Sequence, residues 1–211
     1  MVSILVRKNG SVKQILRKWR KFTSNLPKTL LIFDFDDTLV TTRSKVRSKI
    51  TGKSMDSQEW DDFIRQNPDF NVDDYDFSDF TVVVEPEPIE KTINLMISAL
   101  NRGKSDSKVV ILTARHDWEP VRDYFVRTLG VDIKVVAING PHYSHIEGSD
   151  AEKKAKWIEN QINKGYDEIK FWDNSVENVN AAKKLANKHP DVKIDVFLVK
   201  NGEKTTFKEM E

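Results

Sequence analysis

The sequence predicts an α/β chain built on a doubly wound parallel sheet. Three observations carry that expectation. Short, mainly apolar runs recur at residues 30–33, 109–112, 133–138, 169–172 and 194–199, the pattern of strands covered on both faces. Stretches with apolar residues at helical spacing lie between most of them, as βαβ units require. Several runs end in acids or hydroxyls, at the carboxyl ends of strands, where open α/β sheets bind ligands. A chain of 211 residues suits one domain with a small appendage.

Composition narrows the function classes. There is no cysteine, which excludes disulfides, thiolate metal sites and a cysteine nucleophile. The four histidines lack zinc-ligand spacing. No window approaches the apolar length of a membrane span, and the apolar run at 2–6 is too short for a signal-peptide core, so the expectation is a cytoplasmic protein. The net charge of +1 hides an asymmetry. Residues 1–28 hold eight Lys or Arg and no acid, leaving 26 bases against 33 acids in the remainder.

That basic segment, 1–28, is read apart from the body, 29–211. Within it Val12, Ile15, Leu16, Trp19 and Phe22 fall at helical spacing after Ser11, a plausible N-cap. The helix would pack its apolar face on the acidic body, or serve nucleic-acid contact, membrane-surface contact or targeting.

The body opens with Leu30-Leu31-Ile32-Phe33-Asp34-Phe35-Asp36-Asp37-Thr38-Leu39. Residues two apart on an extended segment point the same way, so Asp34 and Asp36 would project together beyond the first strand. Residues 41–85 read as a polar flap. Residues 58–66 would form a short helix stopped by Asn67-Pro68, and the acids of 69–80, interleaved with Phe70, Tyr75, Phe77 and Phe80, read as a solvated loop. Pro88 would open the next helix, with Gly103 beyond its end. A second strand ends in Thr113-Ala114-Arg115. Gly130 closes a helix carrying Val121, Tyr124, Phe125 and Leu129, and the capping box Ser149-x-x-Glu152 starts another. On that helix Lys154 falls near the apolar face, whereas Lys153 and Lys156 fall off it and read as solvated charges. The fourth strand ends in Asp173-Asn174-Ser175, and a helix with Val179, Ala182 and Leu185 precedes the last strand.

An apolar strand followed by Asp-x-Asp-x-Thr-Leu resembles the first motif of the haloacid dehalogenase superfamily. Thr113, Lys154 and Asp173 fall in the order of its other three motifs, across residues 30–178. The resemblance implies a Rossmann-like core with a small flap or lid after the first strand, and a phosphatase working through an aspartyl phosphate. It implies Asp34 as nucleophile, Asp36 as general acid and base, Thr113 and Lys154 as catalytic partners of the phosphoryl group, and Asp37 and Thr38 as candidate substrate contacts. Arg115 would either fork a substrate phosphate or pair with a flap acid, and His142, with Tyr143 and His145 in the loop after the third strand, is a further candidate substrate contact. Asp37 stands where many relatives have glycine. Magnesium is the implied cofactor, held by Asp34, the Asp36 carbonyl and Asp173, and an all-oxygen site suits that ion. Asn174 departs from the family's common second acid, leaving Glu177 or Asn178, through water, as the further metal-side residue.

Thr-Ala-Arg after the second strand also looks like the phosphatase halves of nucleic-acid end-repair enzymes, so a nucleotide or polynucleotide end phosphate is the preferred substrate. The alternatives are a small-metabolite phosphatase of the same superfamily and a non-catalytic nucleic-acid- or partner-binding module using the basic helix. No Gly-x-x-x-x-Gly-Lys loop is present, so no kinase of that type accompanies it.

Overall fold

The computed structural model describes residues 27–102 and 107–200. The expected helix at 11–22 and Gly103 lie outside them. In chain order the elements are β1 (Thr29–Phe33), β2 (Val40–Thr41), β3 (Val46–Ser48), β4 (Ser54–Met55), α1 (Ser57–Gln66), β5 (Tyr75–Asp76) and β6 (Glu87–Pro88). Then follow α2 (Glu90–Asn101), β7 (Ser107–Thr113), α3 (Glu119–Leu129), β8 (Lys134–Ala137), α4 (Asp150–Ile162), β9 (Glu168–Asp173), α5 (Val176–Lys188) and β10 (Lys193–Leu198).

The main sheet has the order β10-β9-β1-β7-β8, with every neighbouring pair parallel. After β1 the chain builds one side of the sheet and then crosses to the other. The strand order therefore reverses beside β1, the position where open α/β sheets form a ligand crevice. This is an α/β architecture with a five-stranded parallel sheet covered by helices, compatible with a Rossmann-like fold.

Alternation along the strands explains why both faces are covered. Leu30, Ile32, Val110, Leu112, Ile169 and Phe171 form one core with Trp157, Ile158 and Ile162 of α4 and Ala182 and Leu185 of α5. Phe33, Ile111 and Trp172 form the other with Ile93 and Met96 of α2 and Val121 and Phe125 of α3. Phe33 and Trp172 stack at 4.4 Å, and Trp172 and Phe197 at 4.8 Å, giving a ladder of three rings across β1, β9 and β10. The capping box at Ser149 and Glu152 forms as expected, and α3 ends on Gly130 at φ 64, a conformation that glycine adopts without a Cβ clash.

Two expectations are corrected. Pro88 does not open a helix. Its neighbour Ile89 donates its N–H to the Leu39 carbonyl, Pro88 pairs with Val40 in a two-stranded clasp, and α2 starts at Glu90. Nor are residues 69–80 a solvated loop. They make two 3-10 turns and β5, and β5 pairs with β3 beside β4. Phe63, Phe70, Tyr75 and Phe77 surround Trp60 at ring distances of 4.9–5.5 Å. Asp69 and Asp73 face water, Asp79 accepts from the Lys45 N–H, and the rings supply a small third apolar cluster. Among the described residues no helix is long and apolar enough to cross a membrane.

Candidate functional site

Asp34 leaves the end of β1 and Asp173 ends β9. The register sets Phe33 opposite Trp172, and the Asp34 N–H donates to the Trp172 carbonyl at 2.9 Å, so the two carboxylates emerge side by side. Lys154 reaches them from α4. Its Nζ donates to Asp34 Oδ1 at 2.8 Å and to Asp173 Oδ2 at 2.7 Å, with the side chain 2 % exposed. The start of α5 completes the surroundings of Asp173. The Ser175 N–H donates to its Oδ1, and Asn178 Nδ2 to both oxygens at 2.9 and 3.0 Å.

One ammonium between two buried carboxylates leaves one negative charge uncompensated. Burial, opposed by Lys154 but reinforced by the charge of Asp173, pushes the Asp34 carboxyl up to about 7. Burial alone would lower the pKa of Lys154. The charges of Asp173 and Asp34 outweigh it and push it up instead, so Lys154 is a fixed positive charge.

Beyond Asp34 the chain turns tightly, the Phe35 carbonyl accepting from the N–H groups of Thr38, Leu39 and Val40. Asp36 is held from outside that turn. Arg115 Nε and Nη2 fork its two oxygens at 2.9 and 2.8 Å, and the Thr42 hydroxyl donates to Oδ1 at 3.1 Å. Thr113 ends β7, buried, with its hydroxyl accepting from the Arg115 N–H at 3.2 Å. Behind it Asn139 ties the loops together. Its Nδ2 donates to the Ala114 carbonyl and to Asp150, and it accepts from Lys153 Nζ at 2.8 Å.

The helix α1 reaches the same edge of the sheet. Arg65 Nη1 donates to Glu177 Oε1 at 3.3 Å. Burial, with the nearby charges of Asp150, Asp173 and Glu177, pushes the Asp61 carboxyl up to about 6.

Asp34, Lys154 and Asp173 thus come together as the sequence predicts, with Asp36 and Thr113 joined to each other through Arg115. Other candidates stand elsewhere. Arg115 pairs neither with a flap acid nor outward as a substrate fork. It is spent on Asp36 and on the carbonyls of Phe80 and Val82. Thr38 is fully buried, its hydroxyl donating to Asn174 Oδ1 and its carbonyl accepting from Thr92, so it braces the turn instead of facing a substrate. Asp37 adopts φ 55, the left-handed backbone that suits a glycine position. His142 is exposed on a 3-10 turn and lines an open groove of about 630 Å³ along β8 with His116, Trp118 and Tyr143; Asp34, Thr113, Lys154 and Asp173 take no part in that lining. Lys153 is not a solvated charge, because Asn139 holds it, whereas Lys156 only meets Glu159 on the surface. Glu177 serves Arg65, and Asn178 lies against Asp173. Asn139, Thr42 and Asp61 escaped the sequence reading, since no spacing rule links them to the motifs.

Among the described residues no group of three or more acids or histidines converges as a metal cage. The donors that a hard cation would use are nevertheless oxygens. Those of Asp173 are engaged by Lys154, Ser175 and Asn178, while Asp34 Oδ2 and the Asp36 carbonyl accept no hydrogen bond among the described residues. These are hard oxygens of the kind magnesium takes, few at a time and with much of its water kept, and to hold it Asp173 would have to release one of its present donors. No family model, no curated protein and no solved structure matches the chain.

Proposed function

We propose that the chain is a phosphomonoester hydrolase that works through an aspartyl phosphate on Asp34, as its resemblance to haloacid dehalogenase superfamily phosphatases implies. One observation carries the reading: the Lys154 ammonium lies between the buried carboxylates of Asp34 and Asp173 at the sheet's switch point. Attack on a phosphate ester needs a carboxylate nucleophile and fixed positive charge in one dry place. In the proposed reaction an Asp34 oxygen attacks phosphorus, the ester P–O bond breaks, and the leaving oxygen takes a proton from Asp36. Water then attacks the same phosphorus and gives its proton to Asp36, and phosphate leaves with Asp34 restored. Lys154 offsets the phosphoryl charge throughout and the Thr113 hydroxyl donates to a phosphoryl oxygen. Magnesium, when bound by Asp34, the Asp36 carbonyl and Asp173 with waters, supplies further charge neutralisation.

In this reading the 41–85 segment is the small lid of the family, with α1 leaning over the site. Its chemistry bears on the substrate. Asp61 lies within electrostatic reach of Asp150, Asp173 and Glu177, and of Lys154 with the opposite sign; a mouth with this excess of acids repels a polyanionic strand. A small phosphate ester fits it better than a polynucleotide end, which remains the second arm of the test.

The test is phosphate release, with and without magnesium, from small esters, nucleoside monophosphates and end-phosphorylated oligonucleotides. Release from small esters should depend on magnesium and vanish in Asp34→Asn. Turnover that persists in Asp34→Asn would remove Asp34 as nucleophile, and preference for oligonucleotides would restore the nucleic-acid reading.

A further inference from the structure

Arg115 is the most fully engaged cation of the site. Four of the five N–H groups that a guanidinium carries have partners: Nε and Nη2 on Asp36, and Nη1 on the carbonyls of Phe80 at 3.0 Å and Val82 at 2.6 Å. The Phe35 and Phe80 rings flank the cation at 5.3 and 5.2 Å from their centroids, and its side chain is 1 % exposed. Phe35 stands between Asp34 and Asp36 and is itself completely buried. Phe80 and Val82 belong to the 41–85 excursion. One side chain therefore links that excursion to the carboxylate beside the proposed nucleophile, and a bidentate fork sets direction as well as charge.

We infer that Arg115 is a positioning residue: anchored on the Phe80 and Val82 carbonyls, its fork fixes the direction of the Asp36 carboxyl. Arg115 and Thr42 occupy three of its four acceptor positions, and the fourth, on Oδ2, is where the proton passed to the leaving oxygen is carried. This rests on the phosphatase reading above. It also makes the excursion part of the catalytic apparatus, since the two carbonyls that orient the fork lie there. A lysine cannot replace the fork, having one nitrogen and no fixed plane. A residue that gripped the substrate phosphate would behave otherwise, because every ester presents the same phosphate.

The leaving group separates the two roles. An aryl phosphate such as 4-nitrophenyl phosphate expels a stable anion without help, whereas ethyl phosphate needs the proton. The experiment measures kcat/KM for both esters with magnesium in full-length wild type, Asp34→Asn, Arg115→Lys and Phe80→Leu, with inhibition by inorganic phosphate and a thermal melt for each. Arg115→Lys should lower kcat/KM for the alkyl ester about 30-fold more than for the aryl ester, a part of what a general acid contributes, with phosphate inhibition unchanged. Phe80→Leu keeps both charges and loosens only the ring against the guanidinium, so it should show the same selectivity to a smaller degree. It carries the test alone if Arg115→Lys loses its cooperative melt. Equal losses on the two esters, or weakened phosphate inhibition, would overturn the positioning role while leaving the phosphatase intact. Wild type with no Asp34-dependent turnover of either ester would overturn both.

Discussion

Asp37 holds a backbone angle that most L-residues avoid. Its φ of 55 follows from the turn in which three successive N–H groups converge on the Phe35 carbonyl. That conformation costs most L-residues about 1–2 kcal/mol, and less for aspartate, which bonds locally. Asp37→Gly should relieve this cost and lose a similar amount to the freer unfolded chain, leaving stability within about 1 kcal/mol of wild type. Asp37→Val, with a branched Cβ at the same angle, should cost about 1–2 kcal/mol, read as a lower urea midpoint at unchanged slope. Equal midpoints for the two variants would mean that the turn relaxes around the side chain.

At the scale of elements, α4 tests whether helical phase alone can locate a buried charge. Lys153, Lys154 and Lys156 sit within one turn, yet only Lys154 lies between carboxylates. Lys154→Met should leave Asp34 and Asp173 buried without their cation, destabilising the fold by about 3–5 kcal/mol and abolishing phosphate release. Lys156→Ala, at the surface, should stay within about 0.5 kcal/mol. Guanidinium melts of the two proteins make the comparison, and similar losses would show that the phase argument fails. What the sequence revealed, and what it hid, divides along the same line. The strands of the main sheet and the helices α3, α4 and α5 are long enough to display a period and a cap. The two- and three-residue strands β2 to β6 have no room for one. The Trp60 cluster was invisible because its rings come from four short pieces whose neighbours are acids. Asp34, Lys154 and Asp173 were legible from motif order. The partners of Arg115 were not, because two of them are backbone carbonyls, which carry no residue signature.

For the whole molecule, the buried carboxylates predict how stability depends on pH. Asp34 at about 7 and Asp61 at about 6 lie above the ordinary aspartate value of 3.8. Between these limits the two groups bind more protons in the folded chain than in the unfolded one, so the stability they contribute is full below about pH 4 and is lost as pH rises to about 7. Paired carboxylates such as Glu159 and Glu168, whose pKa values are lowered, act the other way, but their losses fall below about pH 4.5. Without added divalent cation, the melting temperature should decrease from pH 5 to pH 7.5, and the decrease should be shallower in Asp34→Asn. A wild-type melting temperature that rises across this range would contradict the buried, underneutralised pair.

The clasp between β2 and β6 sets Thr41 beside Glu87 and Val40 beside Pro88, so the long excursion after β1 leaves and rejoins the body at one doorway. An insertion whose two ends already touch asks little of the scaffold when its length changes, because loop closure grows only slowly with length. The doorway makes that segment an exchangeable cassette. The segment could be exchanged for another, or shrunk to a hairpin turn, while the sheet beneath kept its carboxylates and its ammonium; the threads to re-tie would be the carbonyls that hold Arg115, the Thr42 hydroxyl on Asp36 and the Arg65 contact with Glu177.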